Sequence, residues 1–155
     1  MSKGNLYVAV GLPGSGKTTF AENHPYLYWH SSDEMRERLF GTMDEQRYND
    51  VVFYNLHKEI KNDLAMGRSC YYDATNLTAR LRKNIVREFR DYADEIIAVY
   101  FNEPIAVCKE RNSKRKRVVP EEVIDKMALK MRAPELGEGF DKIFYSNPLD
   151  KLPKM

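Results

Sequence analysis

Residues 11–18 read Gly11-Leu12-Pro13-Gly14-Ser15-Gly16-Lys17-Thr18, a full GxxxxGK[ST] pattern. The apolar run Leu6–Val10 precedes it and the helix-compatible Thr19, Phe20, Ala21 and Glu22 follow. Strand, glycine loop and helix in that order constrain this chain more than any other segment, because the loop needs both neighbours to hold its shape. Gly11, Gly14 and Gly16, with Pro13 and Ser15 between them, let the backbone wrap so that successive N–H groups point at phosphate oxygens, and the new helix adds its N-terminal dipole at Thr19. Lys17 supplies a point charge at the β- and γ-phosphates, and the Thr18 hydroxyl is suited to ligate Mg²⁺. The expected ligands are therefore ATP and Mg²⁺. The plainer alternative, a glycine turn joining strand to helix, asks for neither the lysine nor the hydroxyl.

The rest of the chain repeats this alternation. Tyr26–Trp29, Cys70–Tyr72, Ile96–Phe101 and Ile143–Tyr145 are short apolar runs and, with Leu6–Val10, read as strands buried on both faces. Between them Val52, Leu56, Ile60 and Leu64 recur every four residues up to Gly67, and Leu81, Ile85 and Phe89 mark a second amphipathic helix after Thr78. Pro120 with Glu121 and Glu122 opens a third, with Val123, Met127 and Met131 as its apolar stripe. The pattern predicts an α/β chain with a parallel sheet covered by helices on both sides. Without a repeat or linker, residues 1–155 read as a single domain, closing on a last strand and a loose tail over 146–155 that contains Pro148 and Pro153.

Composition excludes several classes. An apolar fraction of 43% with 31% charged residues supports a packed core rather than disorder. The longest apolar run, Ile96–Phe101, falls far short of the roughly 18 residues a membrane helix needs, so a cytoplasmic chain with no membrane partner is expected. Cys70 and Cys108 stand apart in apolar stretches and read as buried thiols. The net charge is only +2, but residues 80–90 carry +4 and residues 109–117 carry +5. That asymmetry fits either a basic face for a polyanion or a solvated helix face with a basic loop.

Three further segments carry chemistry. Asp33 and Arg36 lie three apart in His30-Ser31-Ser32-Asp33-Glu34-Met35-Arg36, after the second strand, at the sheet edge where ligands bind. That spacing puts a carboxylate able to accept a hydroxyl proton beside a guanidinium able to hold a phosphate. Ser31 with Glu34 is also a capping box, which would explain the same acids structurally. After the third strand, Asp73-Ala74-Thr75-Asn76 offers a second carboxylate for a Mg²⁺ water, or an Asx turn closing the strand. Arg111 and Arg115, four apart near a helix end, could close over ATP and neutralise charge on the transferred phosphoryl group.

Taken together, Gly11–Thr18, Asp33 with Arg36, Thr75-Asn76-Leu77, and Arg111-Asn112-Ser113-Lys114-Arg115 followed by Val119-Pro120 and a Met-containing helix resemble the kinase domain of the phage-type 5′-hydroxyl polynucleotide kinases, a group of small phosphate-loop kinases. The similarity runs from Leu6 to about Met131. It implies a five-stranded parallel sheet of order 2-3-1-4-5 and a small lid over about 111–119. It also implies catalytic roles for Lys17, for Asp33 as general base, for Arg36 beside the acceptor phosphate and for Arg115 on the donor phosphates. Arg111 would be a neighbouring lid arginine on ATP. Arg36, Asp73, Thr75 and Asn76 would face the acceptor, with Thr18 and Asp73 at the metal. In the phage enzymes an Asp directly precedes Thr-Asn-Leu, whereas here Ala74 intervenes. The resemblance implies transfer of the γ-phosphate of ATP to a 5′-hydroxyl end of DNA or RNA. A kinase for a small-molecule, nucleoside or modified-base hydroxyl would keep the phosphate loop and Asp33 without needing the basic helix. A nucleotide-binding regulatory protein with little turnover would need only the loop.

Overall fold

The apolar runs form one parallel sheet in the computed structural model, which describes residues 2–43 and 47–146. The strands are β1 (Leu6–Val10), β2 (Tyr28–Ser31), β3 (Cys70–Asp73), β4 (Ile96–Tyr100) and β5 (Lys142–Tyr145), ordered β2-β3-β1-β4-β5 across the sheet. This is the order implied by the resemblance. The helices among the described residues are α1 (Lys17–Asn23), α2 (Ser32–Phe40), α3 (Asn49–Ala65), α4 (Ala79–Phe89), α5 (Ile105–Ser113) and α6 (Glu121–Lys130). The alternation of a strand divides the core in two. Leu6, Val8, Cys70, Tyr72, Ile96 and Ala98 pack with the α3 stripe and with Ile85, Val86 and Phe89 of α4. From the opposite face Ala9, Tyr71 and Val99 meet Phe20 and Ala21 of α1. Among the described residues, no helix is long and apolar enough to cross a membrane.

Several expectations change. Burial on both faces holds for the central β1, β3 and β4, but β2 and β5 are edge strands whose outward residues meet solvent. Pairing also shifts β2 to Tyr28–Ser31, because Tyr28 N–H donates to Ser69 O at 2.9 Å and Ser31 stands opposite Asp73. In α4 the inward stripe is Arg82, Ile85, Val86 and Phe89, and Leu81 is exposed. Arg82 is 0% exposed and donates through Nε and Nη2 to the two carboxylate oxygens of Glu138 at 2.7 and 3.0 Å, with Nη1 on Asn76 O at 2.9 Å. It is therefore a core cation, absent from any basic face. In α6 the fully buried residue is Ile124, packed with Leu12 and Cys108. Pro120 sits one position earlier than expected, as the N-cap, its carbonyl accepting from Val123 and Ile124 at 3.0 and 3.3 Å. Met127 and Met131 of the expected stripe pack partly buried against the same cluster, and Val123 and Met127 also line the cleft described below.

Helix ends follow their sequence signals. Thr78 caps α4, its Oγ1 accepting from Leu81 N–H at 3.2 Å, and Gly67 after α3 takes φ +82°. Both cysteines are buried free thiols. The tail expected over 146–155 lies outside the described residues except for Ser146, whose N–H donates to Tyr100 O at 2.8 Å.

Candidate active site

The carboxyl ends of β1, β2 and β3 open onto one cleft of about 1450 Å³, where a doubly wound sheet binds its ligands. Its floor is the phosphate loop. Gly14 and Gly16 take φ +82° and +107°, conformations that side chains avoid, and a Cβ at Gly14 would strike the Cys108 carbonyl of α5. Tyr71 donates its hydroxyl to Lys17 O at 2.7 Å, tying the start of α1 to β3; burial raises the Tyr71 pKa and keeps that donor protonated. The Ser15 hydroxyl is buried in the loop and finds no partner among the described residues, an orphaned polar group in the phosphate cradle.

Lys17 Nζ donates to Gly11 O at 3.1 Å and Leu12 O at 2.8 Å, curling back over the loop. Burial is the main cause pushing its pKa down to about 8; Asp73 acts against this and the Arg115 charge adds to it. Thr18, next in sequence, donates through Oγ1 to Asp73 Oδ2 at 3.2 Å. A hydroxyl and a carboxylate are the hard oxygen donors that Mg²⁺ takes, so the two residues expected at the metal are brought together. Asp73 Oδ2 also accepts from Trp29 Nε1 at 2.9 Å.

The acceptor side is built on α2. Ser31 is its N-cap, with Oγ accepting from Glu34 N–H at 3.2 Å, while the Glu34 carboxylate pairs with Arg38 at 2.9 Å. The cap is therefore made by Ser31, and the Asp33 carboxylate is turned to Arg36. Arg36 Nη1 donates to Asp33 Oδ1 at 2.9 Å and Nη2 to Asn49 Oδ1 at 2.9 Å. Arg36 is 5% exposed, and its Nε has no partner among the described residues. Arg117 approaches the other Asp33 oxygen, Oδ2, at 3.7 Å and donates to Met43 O at 3.4 Å, joining the α5–α6 connection to the acceptor side.

Arg111 and Arg115 line the same cleft, and Arg111 Nη1 lies 3.9 Å from where a Cβ on Gly16 would stand. Arg111 lies in the last turn of α5 and Arg115 on the connection after it, which is clamped by Asn112; this residue is buried, donates Nδ2 to Val119 O at 2.7 Å and accepts from Val119 N–H at 3.1 Å. Thr75 lines the cleft and its carbonyl accepts from Gly11 N–H at 3.0 Å. Asn76 has another job in this fold. It is buried at φ +47°, and its amide donates to Ala9 O at 2.8 Å, locking the turn after β3 to β1. The fold thus brings Lys17, Thr18, Asp33, Arg36, Asp73, Thr75, Asn76, Arg111 and Arg115 around one space, with the Asn76 amide donor directed to Ala9 O. Trp29, Asn49 and Arg117 were not legible as site residues. Trp29 had one available signal, an aromatic at the end of an apolar strand just before Asp33.

Comparison with known proteins bears on the family and the fold. The AAA_33 family model, described as an AAA domain, matches residues 6–134. A chain in the structure of the Pnkp1/Rnl/Hen1 RNA repair complex superposes with a TM-score of 0.72 at 23% identity, covering 84% of this chain and 44% of that one. A fungal RNA kinase gives 0.67 at 15% identity, covering 94% and 38%. A gluconokinase from Sinorhizobium meliloti gives 0.58 at 16% identity, covering 97% and 88%. The chain thus spans less than half the length of the two RNA-related structures and most of the gluconokinase. These likenesses show that the chain shares its α/β phosphate-loop fold with these proteins.

Proposed function

The chain belongs to the AAA-domain family of that model, and from this premise we propose that it is an ATP-dependent kinase transferring the γ-phosphate to the 5′-hydroxyl end of DNA or RNA. The observation that carries the reading is the Asp33–Arg36 pair, 2.9 Å apart, facing the same cleft as the phosphate loop. A hydrolytic switch needs a held water, whereas a carboxylate beside a buried guanidinium suits a hydroxyl next to a phosphodiester.

Asp33 takes the proton of the acceptor hydroxyl as the new oxygen–phosphorus bond forms and the bond from the γ-phosphorus to the β–γ bridging oxygen breaks. Lys17 and the loop amides hold the β- and γ-phosphates, and Arg111 and Arg115 face the charge that develops on the transferred group. The loop residues Gly11, Pro13, Gly14, Ser15, Gly16 and Thr19 bind ATP, and the connection over about 111–119 serves as a lid. Mg²⁺ held by Thr18 and, through water, by Asp73 would neutralise charge on the β- and γ-phosphates. Exposed Arg80, Lys83 and Arg87 on α4 supply the basic surface for the acceptor backbone.

Labelled ATP offered to 5′-hydroxyl oligonucleotides, free nucleosides and sugar acids tests the proposal. Transfer to oligonucleotides, with a KM that climbs with salt more steeply than the KM for ATP, is the expected result. Equal kcat/KM for a nucleoside, its 3′-monophosphate and a decamer, without salt dependence, would replace it with a small-molecule kinase.

A further inference from the structure

Trp29 is the single tryptophan of the chain, and it meets Asp73 at the oxygen that also receives Thr18. Its Nε1 donates to Asp73 Oδ2 at 2.9 Å, so the ring orientation is fixed by a hydrogen bond to a carboxylate that is 6% exposed. Trp29 as a residue is 46% exposed and lines the cleft together with Thr18, Asp33 and Arg36. Two residues on, on the same face of the strand, Ser31 caps the helix that carries Asp33. A large aromatic face is thus left open to the cleft while its polar edge is anchored, which removes most of the ordering cost of stacking on it.

We propose that Trp29 is the platform on which the acceptor's nucleobase stacks and, through the same ring, the brace that positions Asp73. This deepens the reading of the cleft as that of a nucleic-acid kinase and rests on it. A base on the ring would bring its ribose toward Asp33, and the ring would hold the carboxylate ready beside Thr18. One side chain then links acceptor recognition to the metal-holding group. Every base has a π-face, so the platform accepts sequences without selecting among them. As the sole tryptophan, Trp29 reports its own occupancy by fluorescence.

The test uses the whole chain with Mg²⁺ and ADP, titrated with a 5′-hydroxyl dinucleotide, a nucleoside 3′-monophosphate and a sugar acid. The two base-bearing compounds should quench the emission saturably and the sugar acid should not. Trp29→Phe keeps a stacking face but loses the N–H. It should hold the acceptor KM within about twofold while weakening Mg²⁺-dependent ADP binding roughly 10- to 100-fold, as the loss of a residue orienting a metal ligand does. Trp29→Ala should show both that loss and a KM raised roughly 5- to 150-fold, the factor one stacked base contributes. Circular dichroism on each variant checks the fold; if Trp29→Ala unfolds, the quenching titration decides the platform and Trp29→Phe decides the brace. Unquenched emission with base-bearing compounds, or an unchanged acceptor KM in folded Trp29→Ala, overturns the platform. Unaltered Mg²⁺-dependent ADP binding in Trp29→Phe overturns the brace. Transfer to the sugar acid alone overturns the nucleic-acid reading, and the ADP measurement still decides the brace independently.

Discussion

Asp33 and Arg36, one helical turn apart, meet Oδ1 to Nη1 at 2.9 Å, with the carboxylate partly open to the cleft and the guanidinium almost wholly buried. The arginine fixes where the carboxylate points, and Asn49 at the head of α3 fixes the arginine. Asp33→Asn keeps the size of the side chain and an acceptor for Arg36, and leaves the Ser31 cap untouched. It should retain ATP binding and melting temperature while losing about 10²- to 10⁴-fold in transfer. A lowered melting temperature with unchanged kcat would mean that Asp33 serves only the helix.

Arg36→Lys preserves charge but not the planar fork, so Asp33 and Asn49 cannot both be held in their present geometry. The expected outcome is a drop in kcat/KM that is larger for a nucleoside 3′-monophosphate than for the free nucleoside, read in parallel rate assays. Equal losses on the two acceptors would remove Arg36 from phosphate recognition.

Lys17 carries a pH prediction. Its pKa near 8 in the free protein lies below the ordinary lysine value of 10.5, because burial penalises the ammonium. Bound phosphates favour the charged form, so nucleotide binding should take up a proton above about pH 8 and weaken as pH rises further, up to about tenfold per unit. The same shift means that between pH 8 and 10.5 the unfolded chain binds more protons at this group, so its contribution favours the folded free protein as pH rises. ADP titrations in buffers of different ionisation enthalpy would detect the proton; affinity flat from about pH 7.5 to 9.5 would contradict it. Lys17→Ala should abolish transfer with the circular dichroism spectrum unchanged.

Arg82 and Glu138 predict stability rather than activity. Removing one member of a buried pair leaves the other charge uncompensated, so Arg82→Met or Glu138→Leu alone should cost about 3 to 5 kcal/mol in denaturant unfolding. The double variant should cost less than the sum of the two. Additive losses would show that the two charges are not coupled.

Asn112→Ala should open the α5–α6 connection. Both of its side-chain hydrogen bonds among the described residues go to the backbone of Val119, so the loop carrying Arg115 and Arg117 loses its closure while the phosphate loop is unaffected. A raised KM for ATP, with kcat at saturation changed less, is expected from initial-rate measurements.

Much of this protein was written locally. The phosphate loop, the α3 stripe, the Ser31 and Thr78 caps and the central strands follow from spacing and from turn and cap residues, because a helix face, a strand period or a glycine turn depends on a few neighbouring residues. Asp33 beside Arg36 belongs to the same class, since residues three apart on a helix must be neighbours. The long-range partnerships were decided only by the tertiary structure. The sheet order brings Asp73 to Thr18 across 55 residues and Trp29 to Asp73 across 44, and the packing of α4 turns Arg82 inward to meet Glu138 across 56. A charged residue in a basic run carries no local mark of burial, because its partner lies far along the chain and desolvation is fixed by what packs around it.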